Sequence, residues 1–223
     1  MRAMILAAGR GERLRPLTDT CPKPLIKVGG KPLILWHIEK LKAQGITRFV
    51  VNSAHLSELI VEYLGDGHKF GVEITHSVEG LGGLETAGGI IKALPYLGDD
   101  EFLVVNGDIF IDGDYSQFLV KIPKDKMAHL FLTANPTHNL KGDFSLRDDH
   151  RVVMGKDYTF SGVALYKVQA FKDCKTQRLP LRPFFERWAL NAQLSGQVLD
   201  GKWFDVGTVE RLREVNAYLG EKH

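Results

Sequence analysis

The 223 residues are 44% hydrophobic and 25% charged, and Lys plus Arg exceed Asp plus Glu by only 29 to 27. That balance suits a globular domain with a sizeable core and, with no run of Lys or Arg forming a stripe, makes nucleic acid a poor partner. Cys21 and Cys174 stand at no metal-binding spacing, so neither a disulfide framework nor a zinc site is implied.

Met4 to Ala8 is apolar for too few residues to be a signal-peptide core and reads as a strand ending in Gly9-Arg10-Gly11. Pro32 to Gln44 places Leu35, Ile38 and Leu41 at helical spacing, with Pro32 in the first turn and Gly45 at the stop. Arg48 to Asn52 follows as a second strand, Glu58 to Leu64 as a helix and Val72 to His76 as a third strand. After the Gly-rich stretch Gly80 to Gly89 a short helix runs through Leu94, and Phe102 to Val105 has the apolar continuity of a buried central strand. That strand ends in Asn106-Gly107-Asp108, a set of turn formers that also lies where open α/β sheets place their ligands.

Beyond residue 110, His129 to Thr133, Arg151 to Met154 and Ser161 to Tyr166 read as strands around the turn-rich Asn135 to Asp149, and Val209 to Leu219 as a closing helix. The alternation of strands and helices predicts an α/β, Rossmann-like fold: a mixed, mostly parallel sheet flanked by helices. One domain over 1–223 is expected, with a nucleotide-binding half to residue 110, a sugar-binding half from 111, and a small substrate-binding lobe. No window approaches the roughly 18 to 20 apolar residues of a membrane span, so a cytoplasmic protein without membrane partners is expected.

The most specific signal is Leu6-Ala7-Ala8-Gly9-Arg10-Gly11-Glu12-Arg13-Leu14-Arg15-Pro16-Leu17-Thr18, followed by Pro22-Lys23-Pro24-Leu25. Gly9 and Gly11 allow backbone amides to approach an anion; Arg13 can fork across two phosphate oxygens, and Lys23 supplies a compact charge. The spacing fits neither a nucleotide-hydrolase P-loop nor the dinucleotide fingerprint, whose third Gly is here Leu14.

This segment resembles the signature of the sugar-1-phosphate nucleotidyltransferase family, with Glu12 where many members carry Thr. Glu85-Thr86-Ala87-Gly88-Gly89 resembles the element that walls base and ribose, with Glu85 where Gly is more usual. Asn106-Gly107-Asp108 and Trp203-Phe204-Asp205-Val206-Gly207-Thr208 are similar to the two metal-binding strand ends. The resemblance covers nearly the full length and implies the nucleotide-diphospho-sugar transferase fold. It implies nucleotide contacts at Leu6, Ala7, Ala8, Gly9, Gly11, Glu12, Arg13, Lys23, Glu79, Thr86, Ala87 and Gly88, catalytic roles for Arg13, Lys23, Asp108 and Asp205, and Mg2+ on Asp108 and Asp205. Two carboxylates suit that ion, which takes its remaining ligands from phosphate and water. For Asp205 the other reading is a cap on the following helix, although Thr208 fits that role better.

The acceptor sugar is expected at Asn106, Gly142, Asp143, Ser161 and Asp205; Gly142-Asp143 and Thr159 to Gly162 read equally as turns. His37, His55 and His129 are expected to be packing or solvent residues, because one phosphate attacking another needs no base. Within the family the chain is most similar to the uridylyltransferases of bacterial cell-wall recycling, which implies UTP; guanylyl- and thymidylyltransferases share the opening signature. The chain ends soon after Asp205, so no acyltransferase repeat domain is expected. A monomer or small homo-oligomer is anticipated. A non-catalytic nucleotide-sugar sensor is the rival class, set against the presence of all four catalytic positions.

Overall fold

Strand β1 (Arg2–Ala7) takes the middle of the main sheet because it is apolar on both faces, with Ala3 and Ile5 on one side and Met4 on the other. In the computed structural model, which describes residues 1–80 and 82–221, β1 leads through helix α1 (Leu17–Thr20) and a ribbon of β2 (Lys27–Val28) and β3 (Lys31–Pro32). Helix α2 (Leu33–Ala43), β4 (Arg48–Ser53), α3 (Ser57–Leu64), β5 (Glu73–Val78), α4 (Glu85–Leu97) and β6 (Glu101–Asn106) follow. The second half comprises β7 (Ile109–Asp112), β8 (Ala128–Ala134), β9 (Phe144–Leu146), β10 (Val152–Met154), β11 (Tyr158–Lys167), α5 (Arg182–Leu190), β12 (Leu194–Val198), β13 (Lys202–Asp205) and α6 (Val209–Gly220).

The central sheet is mixed and mostly parallel. Across β12-β8-β11-β6-β1-β4-β5 every strand but β11 runs in one sense, and β9 with β10 extends the sheet from the start of β11. Period-two alternation along the strands sorts their side chains into two cores. Ala3, Ile5, Phe49 and Val51 pack under α2 and α3, whereas Met4, Val50, Phe102 and Val104 pack under α4 and α5. A third cluster of Val28, Leu33, Phe110, Phe204 and Val215 fastens α6 to the small β7–β13 sheet.

The expected elements of the first half are present, but α4 continues past Leu94 and carries Pro95 within its last turn. Several short elements were not anticipated from the chain, among them β7, α5 and β12. In α5 the buried Phe184, Phe185 and Trp188 span barely one helical turn, too short for a periodic signal. In β12 the run Ser195-Gly196-Gln197 lacks an apolar alternation, and Ser195 is buried against His129 of β8, with Oγ to Nδ1 3.0 Å.

Candidate active site

The carboxyl ends of β1 and β6 lie side by side, with Leu6 in register with Asn106, and the turns leaving them build the site. After β1, Gly11 adopts a left-handed φ of 66°, and a Cβ there would come within 2.8 Å of the Thr18 methyl. Thr18 in turn donates to the Gly11 carbonyl at 2.8 Å, closing the loop on itself. Leu14, fully buried, anchors the single turn Glu12–Leu14 and leaves Arg13 exposed. Lys23 is only 7% exposed, set between Pro22 and Pro24, yet its Nζ reaches Asp108 Oδ2 at 2.7 Å.

Asp108 follows a turn that only Gly permits. The Gly107 amide donates to the Leu6 carbonyl at 2.8 Å, and a Cβ at 107 would stand 2.6 Å from that same oxygen. Strand β7 then pairs with β13, placing Asp205 opposite Ile109, while the Val206 amide donates to the Asp108 carbonyl at 2.9 Å. Two acids distant in the chain thereby become neighbours through an antiparallel ladder. Trp203 extends the tie, donating from Nε1 to the Ser161 carbonyl at 2.8 Å where β11 bulges between Phe160 and Val163.

Each acid has its own cation. Asp108 has Lys23; Asp205 Oδ2 accepts from Arg211 Nη1 at 2.6 Å and lies 3.2 Å from His138 Nε2. Arg211 stands three residues after the helix cap Thr208, whose side chain accepts from the Arg211 amide. Helical side chains lean toward the N-terminus, which sends this guanidinium back to Asp205. A cavity of about 260 Å³ is bounded by Arg13, Asn106, Asp108, His138, Ser161 and Asp205. A larger groove of about 450 Å³ lies at the amino ends of the strands, beside Arg2 and Arg48. The smaller cavity is the stronger candidate, because it holds the paired acids at the strand ends where ligands of open α/β sheets bind.

A family model described as nucleotidyl transferase matches residues 2–144. The chain belongs to that family. It is 50% identical, over 99% of both chains, to the N-acetylmuramate alpha-1-phosphate uridylyltransferase of Neisseria meningitidis. The protein of the same description from Caulobacter vibrioides is 31% identical over 98% of this chain and 97% of its own. A crystal structure from Bacillus anthracis, described as a glucose-1-phosphate thymidylyltransferase in complex with sucrose, aligns with a TM-score of 0.86 at 25% identity. It covers 98% of this chain and 95% of that one.

In this nucleotidyl transferase, Arg13, Asn106, Asp108, Ser161 and Asp205 border one cavity, and Lys23 joins them through Asp108. Leu6, Ala7, Ala8, Gly9, Gly11 and Glu12 form the end of β1 and the loop beyond it, outside the cavity lining. Glu79 is buried and braces that strand end. Its Oε1 accepts from Asn52 Nδ2 at 2.7 Å, Asn52 Oδ1 accepts from the Ala7 amide at 2.9 Å, and Oε2 accepts from the Leu84 amide at 2.6 Å. Ala87 is wholly buried in the core, while Gly88 passes so close to the Gln177 carbonyl that no side chain would fit. Thr86 is half-buried on the same helix.

Gly142 and Asp143 do not line the cavity. Asp143 Oδ2 accepts from the Phe160 amide at 2.9 Å and from Asn139 Nδ2, so it holds the wall from behind. The chain reading passed over His138, Asn139 and Arg211. For Arg211 a signal existed, since a cation three residues past a Thr cap leans toward what precedes the helix; His138 and Asn139 occupy an irregular turn and left none.

Proposed function

We propose that this chain transfers UMP from UTP to N-acetylmuramate α-1-phosphate and releases pyrophosphate, in keeping with the names of its Neisseria and Caulobacter relatives. The observation that carries the chemistry is the β7–β13 ladder, which brings Asp205 beside Asp108 at one cavity with Lys23 and Arg13. A reaction between two phosphates needs charge neutralisation and alignment more than a protein nucleophile.

In this reading the end of β1, from Leu6 to Gly9, with Gly11 and Glu12 and braced by Glu79, cradles the nucleotide, and Thr86 at the start of α4 walls its base with Ala87 and Gly88 packed behind it. Residues 1–110 serve as the nucleotide half and 111–223 as the sugar half. Arg13 neutralises the departing β- and γ-phosphates. Lys23 holds the α-phosphate against the incoming sugar phosphate, while Asn106 and Ser161 border the acceptor, with Gly142 and Asp143 shaping its wall. A phosphate oxygen of the sugar attacks the α-phosphorus; as that bond forms, the bond to the bridging oxygen breaks and pyrophosphate leaves with the electron pair.

The carboxylates of Asp108 and Asp205, hard oxygen donors facing one cavity, fit Mg2+, which prefers few protein ligands. Bound there, the ion would supply charge neutralisation and Lewis acidity at the phosphate oxygens. No helix among the described residues is long and apolar enough to cross a membrane, and we place the reaction in the cytoplasm, in cell-wall recycling. The test is pyrophosphate release from four nucleoside triphosphates, each paired with a panel of sugar 1-phosphates. Turnover selective for UTP with N-acetylmuramate 1-phosphate is expected; a preference for another pair would reassign the substrate, and none at all would end the proposal.

A further inference from the structure

Among the described residues, β7 pairs with β13 and with no other strand. Residues along an antiparallel ladder alternate between exchanging backbone hydrogen bonds and turning those groups outward. The Val206 amide bonds the Asp108 carbonyl, so the next pair, Ile109 with Asp205, is of the outward kind, and so is Ile111 with Trp203. The carbonyls of Ile109 and Ile111 therefore point away from β13, and side chains of α2 take both. His37 Nε2 lies 2.9 Å from the Ile109 oxygen, and Lys40 Nζ donates to the Ile111 oxygen at 2.7 Å. A carbonyl only accepts, so Nε2 carries a proton; the other ring nitrogen lies 2.9 Å from the hydroxyl of Tyr115, just beyond β7. Lys40 is held in turn over the Tyr115 ring, 5.1 Å from its centroid. The two donors share one face of the helix and the two carbonyls one edge of the strand, so the spacings match.

Building on the nucleotidyltransferase reading, we propose that His37 and Lys40 are positioning residues for the reaction, supplying from α2 the hydrogen bonds of a missing strand and so fixing where Asp108 and Asp205 stand. Asp108 immediately precedes Ile109, and Asp205 is its partner across the ladder, so the clamped residue is the one that both acids share. A ribbon of two four-residue strands has little independent stability and needs such an anchor. Helix α2 is a firm one, with Ile34, Ile38 and Leu41 fully buried in the core beneath the main sheet. Neither His37 nor Lys40 lines the cavity, so their influence reaches the reacting groups only through β7. That influence is large enough to matter, because a shift of about 1 Å at a reacting group can cost about a hundredfold in rate.

The experiment measures steady-state rates, with the triphosphate and sugar 1-phosphate pair that the wild-type protein prefers, for His37→Leu, His37→Gln and Lys40→Met, alongside amide hydrogen exchange of each protein without substrate. His37→Leu and Lys40→Met should each lower kcat about tenfold or more and leave KM for the triphosphate little changed. In both, the Val206 amide of the ladder should exchange about tenfold faster while amides of β1 and β4 keep their wild-type rates. His37→Gln, which retains a donor at the end of its side chain, should recover part of both effects. Lys40→Met, at a half-buried position, decides the matter if His37→Leu does not fold. Equal acceleration in β1, β4 and the ladder would show a general loss of stability and overturn the inference, as would a loss carried by KM alone. A His37→Gln no better than His37→Leu would take His37 out of the clamp. Wild-type turnover combined with unchanged ladder exchange in the variants would overturn this inference alone. A wild-type protein releasing no pyrophosphate with any pair would remove the enzymatic reading and this inference with it.

Discussion

Lys23 shows how much one side chain can be asked to do: nearly buried between two prolines, it spends its charge on Asp108 at 2.7 Å. Its rotamers are restricted by packing, so it is oriented before any substrate arrives. Lys23→Ala is expected to lower kcat about a hundredfold with a smaller change in KM for the nucleotide, since charge grows at the α-phosphate in the transition state. Steady-state kinetics decide this, and a raised KM with unaltered kcat would refute the role. Asp108→Ala and Asp205→Ala are each expected to lose several kcal/mol of transition-state stabilisation, about a thousandfold in rate. Circular dichroism should show both variants folded; full activity in either would take that acid out of the site.

At the scale of elements, two turns decide where those acids stand. Gly107 carries Asp108 over the end of β1 with no room for a methyl group, because the obstacle is the Leu6 backbone oxygen. Gly107→Ala is therefore expected to cost about 1 to 3 kcal/mol and to depress turnover as Asp108 is pushed aside; a melting curve and rate like those of the parent would refute the constraint. Thr208 caps α6 on the Arg211 amide, the residue that holds Asp205. Losing that cap in Thr208→Ala should cost about 1 kcal/mol by urea unfolding, while Thr208→Ser retains it. Equal losses in the two variants would show that the hydroxyl contributes nothing.

For the molecule as a whole, a buried polar residue that ties α2 to the second half is His37. It is fully buried, with Nδ1 2.9 Å from the Tyr115 hydroxyl and Nε2 2.9 Å from the Ile109 carbonyl at the start of β7. Burial is the main cause that lowers its pKa from 6.5 to about 4. The unfolded chain then binds a proton that the folded one refuses between those values, so stability is fully present above about pH 6.5 and declines as pH falls toward 4. Urea unfolding at pH 4.5 should show about 2 kcal/mol less stability than at pH 7 from this residue. His37→Gln should flatten that part of the profile, and an unchanged slope would assign the acid sensitivity to other groups.

The expectation that this histidine packs rather than acts as a base was readable from the chain, because the chemistry demanded no base; its hydrogen-bond partners were not. The same division runs through the protein. Local pattern sufficed for β1, α2, β4 and β6, whose apolar periodicity is dense. Pattern was silent on α5 and β12, where a single turn of aromatics or a polar run is stabilised only by neighbours remote in sequence. Motif likewise singled out Asp108 and Asp205 separately, but their meeting depends on the pairing of β7 with β13, a long-range ladder that no local window contains. The sequence alone determined which cationic and acidic side chains the protein offers to a site, since that is a property of side-chain chemistry. The tertiary structure alone decided that Asp143 holds a wall while His138 and Arg211 face the acid, since that depends on which backbone turns are brought together in space.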